Sequence, residues 1–78
     1  MPRRRRDPEP VAKLFGDAVR AERQKRKLTL DEFGELLDKS DGRYLGELER
    51  GFHSPTLTTA KEIADALGVP LARLVKGI

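Results

Sequence analysis

Along this chain apolar residues recur at spacings of three and four, the period of a helix buried on one side, and no stretch alternates as a strand does. Val11, Leu14, Phe15, Ala18 and Val19 make the first such stripe. Asp7 and Pro8 read as its start. Asp can cap, Pro is preorganised at the first helical position, and Pro10 is still early enough to forgo its N–H. Gly16 weakens this helix slightly, and the basic residues of its last turns suit the negative end of its dipole. Thr29 opens a second helix: with Glu32 it matches a capping box, and Phe33, Leu36 and Leu37 form the apolar face. Residues 38 to 41 include no apolar side chain and break the period, so they are a turn, from which either Ser40 or, by preference, Asp41 caps a third helix. Tyr44, Leu45 and Leu48 are its apolar positions, and Gly51 stands where a left-handed residue is wanted. After a loop from Phe52 to Pro55, Thr56 caps a fourth helix with Leu57, Ala60, Ile63, Ala64 and Leu67 on one face and Gly68 at its end. Pro70 opens a short fifth helix carrying Leu71, Leu74 and Val75. The expected fold is all-α, a compact five-helix bundle over residues 8–78, behind a flexible basic arm at residues 1–7.

The stretch from Thr29 to Gly51, TLDEFGELLDKSDGRYLGELERG, organises the rest. Two short helices joined by a tight polar turn are the helix-turn-helix unit. Its first helix crosses a DNA backbone, and its second presents N-terminal side chains to base edges in the major groove. The unit needs a small residue where its helices touch, a position that Gly34 fits. It also needs an apolar anchor in the second helix, which Leu45 and Leu48 supply.

Charge alters this picture. The net charge is +3, but Arg3, Arg4, Arg5 and Arg6 provide four of the positive charges, and the stretch from Arg20 to Lys27 carries a balance of +4. Thr29 to Gly51 carries −4. Positive charge therefore flanks the central unit and is not within it. With 78 residues the chain makes one small domain, with enough apolar material, 37%, for one core. It has no cysteine, so disulfides and thiolate metal sites are excluded, and its single histidine, His53, rules out a His-based site. No apolar run approaches the roughly 18 residues of a membrane helix, and the arginine run is not followed by the apolar segment of a secretory signal. No cysteine nucleophile, His-Asp-Ser set or phosphate-cradling glycine loop points to an enzyme, and no cofactor or small-molecule ligand is implied.

From about Val11 to Ile78 the sequence resembles the Cro/repressor-type helix-turn-helix proteins of bacteria and phages. The resemblance rests on Tyr44 and Leu45, then Leu48, Glu49, Arg50 and Gly51, then Ser54 to Leu57, then the run from Ile63 to Leu71. Small single-domain members include Cro-like phage repressors and restriction-modification controller proteins, which share the pattern of Asp41 to Gly51. The resemblance implies the phage-repressor type of bundle and a sequence-specific regulator of transcription. It further implies a homodimer on a palindromic double-stranded DNA operator, in a bacterial cytoplasm and associated with the nucleoid. Two features depart from the pattern. Leu30 stands where the family commonly has Gln, and the turn lacks its usual glycine around Asp38 and Lys39.

Aligned to the recognition helix, Gly42, Arg43, Gly46 and Glu47 face the bases. Arg43 can donate to O6 and N7 of guanine and Glu47 can accept from a cytosine amino group. The glycines specify nothing by side chain; they permit close backbone approach or are merely tolerated. Arg50, His53, Tyr44, Ser40 and Lys39 are the phosphate candidates. Arg50 has an equal alternative, since Glu49 or Arg50 can instead brace the fold through an internal salt bridge. Arg3 to Arg6 can enter a neighbouring minor groove or serve as a solubilising tail, and the bases from Arg20 to Lys27 can extend the same footprint. Leu71, Leu74, Val75 and Ile78 form either a dimer seam or a cap on the monomer core. Two other readings use the same fold without strong operator recognition: an interaction module, motivated by the acidic centre, and the antitoxin of a toxin–antitoxin pair.

Overall fold

The computed structural model of the chain describes residues 7–38 and 42–78. All regular structure among them is helical: α1 (Pro10–Lys25), α2 (Leu30–Leu36), α3 (Arg43–Glu49), α4 (Leu57–Leu67) and α5 (Leu71–Val75). Phe15, Val19, Phe33, Leu45, Leu48, Ile63, Leu67 and Leu74 meet in one core to which every helix contributes. The arginine arm, Lys39, Ser40 and Asp41 lie outside the described residues.

The start of α1 differs from the expectation. Its cap is Glu9, not Asp7, and Pro10 takes the first helical position. A residue that precedes proline is driven out of the helical region, so Glu9 is held extended at φ −78° and ψ 130°. Its carboxylate accepts from the Ala12 N–H at 2.6 Å. Its own N–H donates to the Gly51 carbonyl at 3.0 Å, which fastens the head of α1 to the tail of α3. The buried face of α1 is also displaced. Ala12, Phe15, Gly16, Val19 and Glu22 point inward, while Val11 and Leu14 are each about half exposed. Gly16 sets this rotation. A Cβ there would lie 2.4 Å from the Leu48 carbonyl oxygen and 2.6 Å from that of Glu49, so α1 and α3 approach backbone to backbone where any side chain would separate them.

The capping box of α2 forms as expected: Glu32 N–H donates to Thr29 Oγ1 at 3.0 Å, and Thr29 N–H donates to the Glu32 carboxylate at 2.8 Å. Phe33 is fully buried, but Leu36 is 58% exposed, since a helix of two turns reaches the core with only part of its stripe. Asp38 closes α2 at φ +59°, a conformation that Asp tolerates better than most residues, and so does the work of the missing turn glycine. Gly51 and Gly68 are left-handed after α3 and α4, as the sequence implied. On α4, Thr56 is the N-cap, but Leu57 beside it is 77% exposed and leaves the expected apolar face.

Candidate nucleic-acid interface

The geometry of α3 begins with its neighbour. Gly42 is its N-cap and has no side chain to cap with. Its N–H instead donates to Asp31 Oδ1 on α2 at 3.1 Å, so the cap is borrowed across the turn. A Cβ on Gly42 would lie 2.7 Å from Leu30 Cβ, and one on Gly46 would lie 3.4 Å from Leu30 Cδ1. Gly42 is therefore buried against Leu30, and Gly46 is half-buried beneath it. Gly42 and Gly46 thus both allow a close approach of α3 to the start of α2. Gly34 is buried as well. Both glycines expected to face bases have a packing reason to lack a side chain.

Arg43, one residue on, projects with 84% of its side chain exposed and lies 3.9 Å from the Glu47 carboxylate one turn later. Glu47 has a closer partner: His53 Nε2 is 3.0 Å from its Oε1. The hydrogen bond from His53 is the main cause that holds the Glu47 carboxyl below its ordinary range, with the positive charges of Arg43 and Arg50 adding to it. The His53 ring stacks on Tyr44, centroids 4.9 Å apart. Tyr44, Glu47 and His53, predicted separately, are one contiguous cluster beside Arg43.

Arg50 is exposed, with its guanidinium 5.6 Å from the centre of the Phe52 ring, within cation–π range. The internal salt bridge is made by Glu49, and its partner is Arg23 of α1. Nε and Nη2 of Arg23 reach the two carboxylate oxygens at 2.7 and 3.1 Å, and Nη1 donates to the Leu28 carbonyl at 2.8 Å. Arg26 and Lys25 hydrogen-bond the buried Glu22. The bases from Arg20 to Lys27 are thus largely engaged in bracing the fold. Arg20 is different: with Lys13, Arg43 and Arg50 it edges a groove of about 520 Å³ between α1 and α3, into which Leu30 and Gly46 also open.

At the other end of the molecule Leu74 is 1% exposed and belongs to the core, so it drops out of the expected seam. Leu71 is half-buried, whereas Val75 and Ile78 are exposed and border an apolar groove of about 220 Å³ with Val11 and Leu57. No helix among the described residues is long and apolar enough to cross a membrane.

Comparison with known proteins places these features among relatives. A profile of the helix-turn-helix family HTH_3 matches residues 19–74. An uncharacterised helix-turn-helix transcriptional regulator of Sinorhizobium fredii is 40% identical over 65 residues, covering 83% of each chain. The immunity repressor of Bacillus phage phi105 is 35% identical over 60 residues, which span 77% of this chain and 41% of that longer protein. Among solved structures, the clp gene regulator of Corynebacterium glutamicum superposes with a TM-score of 0.81 at 33% identity and 88% of each chain. The restriction-modification controller protein C.AhdI of Aeromonas hydrophila gives 0.78 at 26% identity, over 85% of this chain and 98% of that one.

Proposed function

Because the chain belongs to the HTH_3 helix-turn-helix family of regulators, we propose that it binds double-stranded DNA in a sequence-specific manner and regulates transcription as a homodimer on a palindromic operator. The observation that carries this reading is the side chain of Arg43, 84% exposed on the first turn of a helix that Leu45 and Leu48 anchor in the core. From there its guanidinium can reach the O6 and N7 of a guanine in the major groove as a fork. Glu47, held by His53, is the second base-facing group, and its candidate partner is a cytosine amino group. His53 and Tyr44, stacked beside Arg43, and Arg50, just past the last turn of α3, are the proposed phosphate contacts. Ser40 and Lys39, in the turn, remain phosphate candidates outside the described residues. Arg3 to Arg6 add attraction for the backbone; four neutralised phosphates correspond to a salt slope of roughly −3 to −4.

The homodimer is supported by the apolar border of Val75, Ile78, Val11 and Leu57, which a second copy would cover, and by the small core a chain of 78 residues can bury. Sedimentation at rising concentration should show a dimer that Ile78→Asp dissociates. The setting proposed is the cytoplasm of a bacterium.

Selection of bound duplexes from a random pool tests the function. A half-site containing guanine should emerge, and Arg43→Ala should cost about 1–3 kcal/mol of discrimination at that base pair while sparing non-specific binding. Equal affinity for the selected site and for random duplex at moderate salt would overturn the proposal. That result would favour an interaction module, the reading that the −4 balance of residues 29–51 supports.

A further inference from the structure

Leu30 stands at the start of α2, half-buried, with its side chain laid over Gly42 and against Gly46. It has no hydrogen-bonding group at a point where the groove between α1 and α3 opens, and the two glycines beneath it let its side chain lie close against α3. The rim is of opposite character. Arg20 comes from α1, Arg43 from the first turn of α3 and Arg50 from its C-terminal cap, while the two carboxylates that also line the groove are engaged, Glu49 by Arg23 and Asp31 by the Gly42 N–H. An apolar floor under a cationic rim is complementary to a ligand that is apolar at one point and anionic a few ångströms away. In duplex DNA one nucleotide has that form in the major groove. Thymidine carries a C5 methyl group on its groove edge, directed toward the phosphates of its own strand, and apolar side chains read that methyl.

We infer that Leu30 is a specificity-determining residue: it receives the methyl group of a thymine while Arg20 and Arg50 engage the adjoining phosphates. This deepens the proposed function and rests on it. The base-reading surface then includes the first residue of α2 as well as the exposed side of α3. It discriminates by methyl contact at one base pair and by the Arg43 fork at its neighbour.

The test uses the selected duplex, remade with deoxyuridine in place of thymidine one position at a time, which removes only the methyl group. The wild-type chain should lose roughly fourfold in affinity at one position of each half-site, the effect of one buried methyl. The loss should vanish in Leu30→Ala and in Leu30→Gln and persist in Leu30→Met. Each comparison is a ratio of two duplexes on one protein preparation, so a partly unfolded variant scales both affinities and leaves the ratio intact. Insensitivity at every thymidine, or sensitivity that survives both Leu30→Ala and Leu30→Gln, overturns the inference while specific binding stands. If the selection yields no preferred duplex, the proposed function falls, and this inference with it.

Discussion

Glu22 and Glu49 are carboxylates placed where burial disfavours charge, and cations reach both. Around Glu22 the hydrogen bond from Arg26 outweighs the cost of burial, and Lys25 and the more distant Arg73 add to it, so the carboxyl is held below the ordinary glutamate range. A carboxyl depressed on folding contributes stability that is complete above its unfolded value and is lost as pH falls through its folded one. Urea denaturation followed from neutral into acid pH should therefore show the folded state weakening at and below the usual glutamate range. Glu22→Gln should flatten that dependence. None of this pairing was legible from charge alone. Sequence shows that Arg20 to Lys27 is basic, but not that Arg23 has an acid waiting 26 positions on. The same limit applied at Glu9: both Asp7 and Glu9 offer a carboxylate before a proline, and what distinguishes Glu9 is a tertiary contact, its N–H on the Gly51 carbonyl.

Where two helices touch, a single atom decides the outcome. Gly16→Ala should raise the helix propensity of α1 by up to about 1 kcal/mol. Because the new Cβ would press on the Leu48 and Glu49 carbonyls, the variant should nonetheless be less stable by about 1–3 kcal/mol, which thermal melting would record as a lowered midpoint. The fork of Arg23 on Glu49 joins α1, the turn at Leu28 and α3. Glu49→Ala strands a guanidinium that is only 13% exposed, and should cost about 3–5 kcal/mol by chemical denaturation. Replacing both partners with apolar residues should recover much of that. At this scale the sequence was informative about where helices lie and less so about how they are turned. Thr29, Thr56, Gly51 and Gly68 act locally, and each ended or began a helix as its chemistry predicts. Val11, Leu14, Leu36 and Leu57 belong to stripes wider than the contact they meet, and the partner helix, not the period, selects which edge is buried. The candidate site followed the same division. Arg43 was legible as an exposed cation early in α3, whereas the packing of Gly42 and Gly46 on Leu30 joins residues whose proximity no local pattern reveals.

For the molecule as a whole, the division of charge has a purpose that the linear sequence conceals. Most cations near the end of α1 hold carboxylates of the bundle, and the arginines at the groove edge come from α1 (Arg20) and from the two ends of α3 (Arg43 and Arg50). Attraction to a polyanion then depends on α1 and α3 keeping their mutual placement, which Gly16, the Glu9 to Gly51 hydrogen bond and the Arg23 fork all enforce. A further consequence concerns the two helices of the central unit, α2 and α3, each of seven residues. Two turns cannot repay the cost of nucleating a helix in water. A peptide of residues 29–51 should therefore give the circular dichroism of a coil. In the intact protein the amides of α3 should exchange with solvent only when the entire domain opens, in step with α1, as one cooperative foldon. The proposed reading surface has no existence apart from the bundle behind it, so a lesion far from α3 should weaken binding to the selected duplex as surely as Arg43→Ala.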